Sequence, residues 1–287
     1  MKKLLNYWGG ILTLLFCGVF AHAQSPSTVL VVANANNRAS IKLALYYLNA
    51  RHIPTQNLCL INWQAADNAD TCTLSAFTQS IAEPIYAQIR NLPQIDYIVL
   101  CRNLPSKIQD ATCSVDSALA SHGIKKRSNP YYLGSPGFRS KNYGMQLVTR
   151  LDGWSWEDAR ALVDHAQQAR RGNFFFLDRD PTKDQRMGYA GYNIGMQSAA
   201  NLLFFYGFPA VVEKTMSFVA PTQPLDGYYS WGSNDSHFVA TRFGALRFSP
   251  GALAETLVST SAMFLRQPGP TNAQSQIAQL IHNGVTG

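Results

Sequence analysis

Apolar and polar positions follow two different rhythms along this chain. Short apolar runs without polar interruption alternate with longer stretches in which apolar residues return every three or four positions. Uninterrupted β-branched runs predict strands buried on both faces. The slower rhythm predicts helices with one buried face. Residues 28–34 (TVLVVAN) form the first predicted strand. A polar turn, Ala35-Asn36-Asn37, leads to an amphipathic helix over 39–50. Further strands are predicted at 57–63, 95–101, 145–150, 174–177, 210–213, 227–231 and 255–261. Helices are predicted at 74–91, kinked at Pro84, and at 113–122, 155–170, 194–206 and 275–282. Ser155 is placed to cap the helix that follows it.

Strands alternating with helices imply βαβ units and right-handed crossovers. The expected fold is a three-layer α/β sandwich with a mostly parallel sheet, in a single domain over 24–287. No repeat, low-complexity tract or Pro/Gly linker divides that span. The segment 121–143, rich in Gly, Ser, Pro, Asn and Tyr, reads as a long surface excursion. Residues 284–287 (GVTG) read as a turn opening another buried strand, which gives the expectation that the chain is truncated at its C-terminus.

The N-terminus adds a compartment. Lys2 and Lys3 precede an apolar stretch from Trp8 to Phe20, and Ala21-His22-Ala23 supplies the small residues of a cleavage site. The apolar run is about 13 residues, short of the roughly 20 needed to span a bilayer. A signal peptide over 1–23, cleaved after Ala23, is expected, with the mature chain periplasmic or secreted and no transmembrane segment after cleavage. Loss of Lys2 and Lys3 lowers the formal net charge from +7 to +5. The one basic run, Lys125-Lys126-Arg127, falls in a polar loop, and without a broad basic face no nucleic-acid partner is expected. Four cysteines remain, Cys59, Cys72, Cys101 and Cys113. In an exported protein an even count suggests disulfides, with Cys59–Cys72 and Cys101–Cys113 as the short-range pairings; four buried thiols are the alternative. Their spacing fits no zinc site, and no metal or cofactor is expected.

In open parallel sheets ligands bind beyond the carboxyl ends of the strands. Asn34, Arg102, Arg150, Asp152 and the clusters 228–235 (YYSWGSND) and 258–262 (VSTSA) fall there. Trp231 is a candidate pocket wall, with Ser233, Asn234 and Asp235 as polar contacts; Asp116, Arg150 and Asp152 are candidates to line the same cleft. Ser261 is a candidate nucleophile, with His237 as base and Asp235 as its orienter. No G-x-S-x-G elbow supports that assignment, and hydroxyls bonding local backbone are the competing reading.

The ordered segments VLVVANAN (29–36), IDYIVLCRNLP (95–105), SVDSALA (114–120), LVTRLDG (147–153) with ALVDHA after it, YYSWGSND (228–235) and LVSTSA (257–262) resemble a family of uncharacterised exported bacterial proteins whose members continue past the strand opening at Gly284. More remotely the order is similar to gingipain-type cysteine peptidases of caspase-like fold. In those enzymes a late strand ends in the catalytic histidine and the next in the catalytic cysteine. The equivalent positions here fall near Trp231 and Ser261, and no cysteine follows Cys113. The resemblance therefore implies the fold and a cleft, without cysteine-peptidase activity. The leading expectation is an exported non-peptidase that binds a ligand, peptide or glycan. A Ser261/His237 hydrolase and a structural partner in the envelope are the alternatives.

Overall fold

A computed structural model describes residues 24–64, 70–111, 113–123, 128–132 and 137–287. The predicted signal peptide and the Lys125-Lys126-Arg127 run lie outside the described residues.

The first half builds the expected βαβ architecture. Strands β1 (Val29–Asn34), β2 (Leu58–Ile61), β4 (Tyr97–Cys101) and β6 (Leu147–Leu151) form a wholly parallel sheet in the order β2-β1-β4-β6. Between them β3 (Thr71–Cys72) and β5 (Lys107–Ile108) pair as a separate ribbon that the apolar pattern did not predict, two residues being too few to show alternation. All six residues of β1 are buried, and its side chains alternate between two cores. Leu30 and Val32 pack under α3 (Glu83–Asn91) and α4 (Val115–Ala120). Val29, Val31 and Ala33 pack under α1 (Arg38–Ala50) and α6 (Trp156–Gln167). Helices therefore cover both faces, and this half is a three-layer sandwich. Residues 74–91 are helical throughout: α2 (Leu74–Ala76) runs into a π-helical segment, Phe77–Ala82, and then α3. Pro84 lies in the first turn of α3, so the wider π turns accommodate it where the sequence predicted a kink. A short α5 (Ser140–Tyr143) leads into β6. Ser155 caps α6 in a capping box, its hydroxyl accepting from Asp158 N while the Asp158 carboxylate accepts from Ser155 N.

The second half repeats the layering around its own parallel sheet. Its strands are β7 (Phe175–Asp178), β8 (Ala210–Glu213), β9 (Leu225–Ser230) and β10 (Phe248–Thr256), in the order β10-β9-β7-β8. Helix α7 (Ala190–Phe205) covers one face through Met196 and Ala200; α8 (Ala240–Gly244) and α9 (Ile277–His282) supply Phe243 and Leu280 to the other. The last predicted strand, 255–261, is a correction. β10 lies upstream and ends at Thr256, because Pro250 and Gly251 mask an edge strand from the apolar pattern. Gly251 has φ +92°, and a Cβ there would lie 2.6 Å from that of Ala169. The terminal residues Thr286 and Gly287 hydrogen-bond to β10 at Ala252 and Ala254.

All four cysteines are free thiols. Cys101 belongs to the core under α1 and α6, whereas Cys59, Cys72 and Cys113 pack in or against the core on the opposite face. The sheet thus stands between Cys101 and Cys113. Burial pushes the Cys59 and Cys72 thiols up to about 11 and that of Cys101 higher still, as for thiols held as small apolar groups. No helix among the described residues is long and apolar enough to cross a membrane.

Candidate functional site

A cleft of about 1180 Å³ opens beside the carboxyl end of the first sheet. One wall is β6, at Val148, Thr149 and Arg150. The opposite wall comes from the second half, with Ile277 and Ile281 on α9 and the terminal Val285 among its members. β6 is the outermost strand of its sheet, so one backbone edge faces this space. Leu147 donates inward to Asp96 O (3.0 Å); strand alternation then turns the N–H and C=O of Val148 and Arg150 toward the open edge.

Beneath the cleft lies a network of buried ions. Arg150 forks onto Asp116 (2.8 and 3.0 Å), reaches Asp152 (3.3 Å) and donates to the carbonyls of Leu104 and Pro105 (3.2 and 3.1 Å). Burial works against its charge, but Asp116 and Asp152 outweigh that and raise its pKa. Arg102 binds the carbonyls of Gly153 (3.2 Å) and Trp154 (2.8 Å), beside Asp152. The third cation is Arg266, its side chain 1% exposed, which reaches Asp70 (3.0 Å) and Asp152 (3.4 Å) and donates to Leu104 O. Burial raises the Asp70 pKa, and Arg266 opposes the rise. Sequence reading found Asp116, Arg150 and Asp152 but missed Arg266 and Asp70. Arg266 sits in a loop 114 residues from Asp152 in sequence, with no periodicity around it.

The loop that brings Arg266 across is tied down by the predicted SWGSND segment. Ser233 and Ser275 exchange hydrogen bonds: Ser233 N donates to Ser275 Oγ (3.1 Å) and Ser275 N to Ser233 Oγ (2.9 Å). Asn234 donates to Leu257 O and accepts from Gln274 (3.0 Å). Gly232 makes the approach possible; at φ +52°, a Cβ would meet Ser275 Oγ at 2.6 Å. Ser233 and Asn234 thus act as clamps on this loop, away from the cleft floor.

Trp231 is a further correction. It is 3% exposed, packed against Leu177, Met196 and Ala200, and its indole N–H donates to Asn193 Oδ1 (2.8 Å). It is a core residue of the second half, not a cleft wall, because its indole finds both apolar neighbours and a polar partner inside. Asp235 accepts from His237 N (2.6 Å) in a local turn. Burial raises the Asp235 pKa. The His237 ring forms no hydrogen bond to Ser259 or Ser261 among the described residues. Ser259 donates to Gln274 (3.4 Å), as do Thr260 N and Oγ1. The structure does not bring Ser261 and His237 together by any such bond.

The carboxyl end of the second sheet holds a different polar centre. Asp178 on β7 stands level with Glu213 on β8 and Ser230 on β9. Asp178 is 1% exposed, and burial, with Asp235 and Glu213 nearby, pushes its carboxyl up to about 8. Asp178 Oδ1 and Glu213 Oε2 are both buried without a hydrogen-bond partner among the described residues. Asp180 is held below the usual carboxylate range: burial opposes its charge, and bonds from Thr182, Ser236 and Lys183 more than compensate. No group of His, Cys, Asp and Glu among the described residues is arranged to hold a metal ion. No family model, curated protein or solved structure matches this chain.

Proposed function

We propose that this chain is a non-catalytic binding protein that captures an extended peptide in the cleft, laid along the open edge of β6. The observation that carries the reading is the coincidence of the cleft with an edge of β6 that pairs with no other strand among the described residues. An extended chain added there makes main-chain hydrogen bonds to Val148 and Arg150, and its alternate side chains enter the apolar pockets between β6 and α9. The charges underneath pair with one another, so they hold the cleft in shape and are not free to act as acid, base or nucleophile. A glycan fits less well: among the described residues Phe264 is the one aromatic residue lining the cleft, and Trp231 is buried. The caspase-like scaffold and the export expected from the sequence belong to the same proposal; the parallel strands, with the cleft at their carboxyl ends, support it.

The test is selection of binders from a displayed library of random decapeptides against the mature chain, 24–287, followed by calorimetric titration of those enriched. Val148→Pro removes one outward N–H at an edge position where proline is tolerated. It is expected to weaken binding about tenfold, the value of one hydrogen bond of about 1.4 kcal/mol, while Val148→Ala, which keeps the donor, loses less. Failure to enrich any peptide, or equal affinity for Val148→Pro and Val148→Ala, overturns the reading.

A further inference from the structure

Helix α7 carries an exposed stripe that its own fold does not use. Its inner face, Asn193, Met196 and Ala200, is buried against the second sheet. On the outer face Gly191, Ile194, Gly195, Ser198, Leu202 and Phe205 recur at helical spacing, and all six are exposed. Ile194 is 65% exposed, Leu202 59% and Phe205 79%. From Ala190 to Phe205 the helix has no charged residue.

The two glycines are the informative part. Glycine inside a helix is less favourable than alanine, so it needs a compensating reason. Within a chain that reason is usually close approach of another element. Here nothing among the described residues lies within 4 Å of the position a Cβ would take at Gly191 or Gly195. Small residues four apart let a second helix backbone come close.

We infer that α7 is a homodimer interface, packing against α7 of a second copy across a two-fold axis. The stripe is its own complement: a shallow groove at Gly191 and Gly195 lies on the same face as the ridge of Leu202 and Phe205. An antiparallel copy places each ridge in the other's groove. Without charges, the face meets its own image with no like-charge repulsion. Ile194, Leu202, Phe205 and Tyr206 on this face together present roughly 550 Å² of surface, scaled from about 150–250 Å² for a fully exposed aromatic, and the exposed Gly191, Gly195 and Ser198 add to it, toward the roughly 800 Å² each partner gives a standard interface. A lipid surface fits the stripe less well, since it would reward bulky side chains where the glycines and Ser198 stand.

Sedimentation equilibrium of the mature chain tests this. A monomer–dimer equilibrium with Kd of about 10 µM or tighter is expected. Gly195→Leu should raise that Kd at least about tenfold, and Gly195→Ala by a smaller factor. Both variants should melt no lower than wild type when dilute and monomeric, since each replaces a helical glycine in open space. That pairing separates a lost interface from a lost fold. A chain that stays monomeric to about 200 µM, a Gly195→Leu dimer as tight as wild type, or a monomer that co-sediments with phosphatidylglycerol vesicles through this face would overturn the inference.

Discussion

Each parallel sheet ends in buried carboxylates, and the two ends neutralise them by different means. At the first sheet Asp152 and Asp116 lie against arginines, two of them, Arg102 and Arg150, at or near strand ends and the third, Arg266, carried in from the second half. At the second sheet Asp178 and Glu213 meet no cation among the described residues; burial raises the Asp178 carboxyl instead. A buried charge must find a counter-charge or give up its own. The cationic solution is independent of pH over the physiological range and fixes the geometry beneath the cleft. The protonated solution is sensitive to pH.

The largest expected effect breaks the first end. Arg266→Ala leaves Asp70 without its cation and Asp152 with less compensation, and should cost about 3 kcal/mol in urea denaturation. Adding Asp70→Asn should return part of that loss. A cost of under about 1 kcal/mol would mean that the arginines are not what holds this end together.

The second end is broken with pH. The Asp178 carboxyl titrates near 8 in the fold against 3.8 ordinarily, so the folded state binds more protons between those values. Its contribution is complete below about pH 4, declines as pH rises and is exhausted above pH 8. Asp178→Asn keeps an acceptor for Val219 N and replaces the titrating carboxyl with a neutral amide of the same shape. The variant should flatten stability against pH across that window and gain a few kcal/mol at pH 8. Parallel slopes for wild type and variant in thermal melts would refute the raised carboxyl of Asp178.

A smaller effect sharpens the division between the two halves. Trp231→Phe removes the donor to Asn193 and should cost about 1 kcal/mol, with peptide affinity at the cleft unchanged within error. A loss of affinity would return Trp231 to the binding surface. Ser261→Ala should change stability by less than about 0.5 kcal/mol, and a serine-directed fluorophosphonate should label wild type no more than the variant.

The elements of the first half are legible because β1 and β4 are nearly continuous apolar runs rich in β-branched residues and α1 and α6 carry clear periodicity; Ser155 gives its capping box from local chemistry alone. β10 is not legible, because proline and glycine interrupt it and its edge position alone makes them tolerable. Of the candidate cleft residues, Asp116, Arg150 and Asp152 are readable from their places at strand and helix ends. Trp231 reads as a site for the same reason, yet its surroundings make it core: a strand-end tryptophan looks alike whether it faces solvent or a helix such as α7.

By itself the sequence determined the α/β class, the parallel strands, and the polar residues Arg150 and Asp152 at the end of β6 and Asp116 at the start of α4, since these depend on neighbours a few positions apart. Only the tertiary structure decided that the described strands divide between two four-stranded sheets and a two-stranded ribbon, that Arg266 completes the charge balance of Asp70 and Asp152, that burial raises the Asp178 carboxyl, and that Gly191 and Gly195 face open space among the described residues. Those are matters of which groups are brought together from distant positions and how much water is left between them, and local pattern carries no record of either.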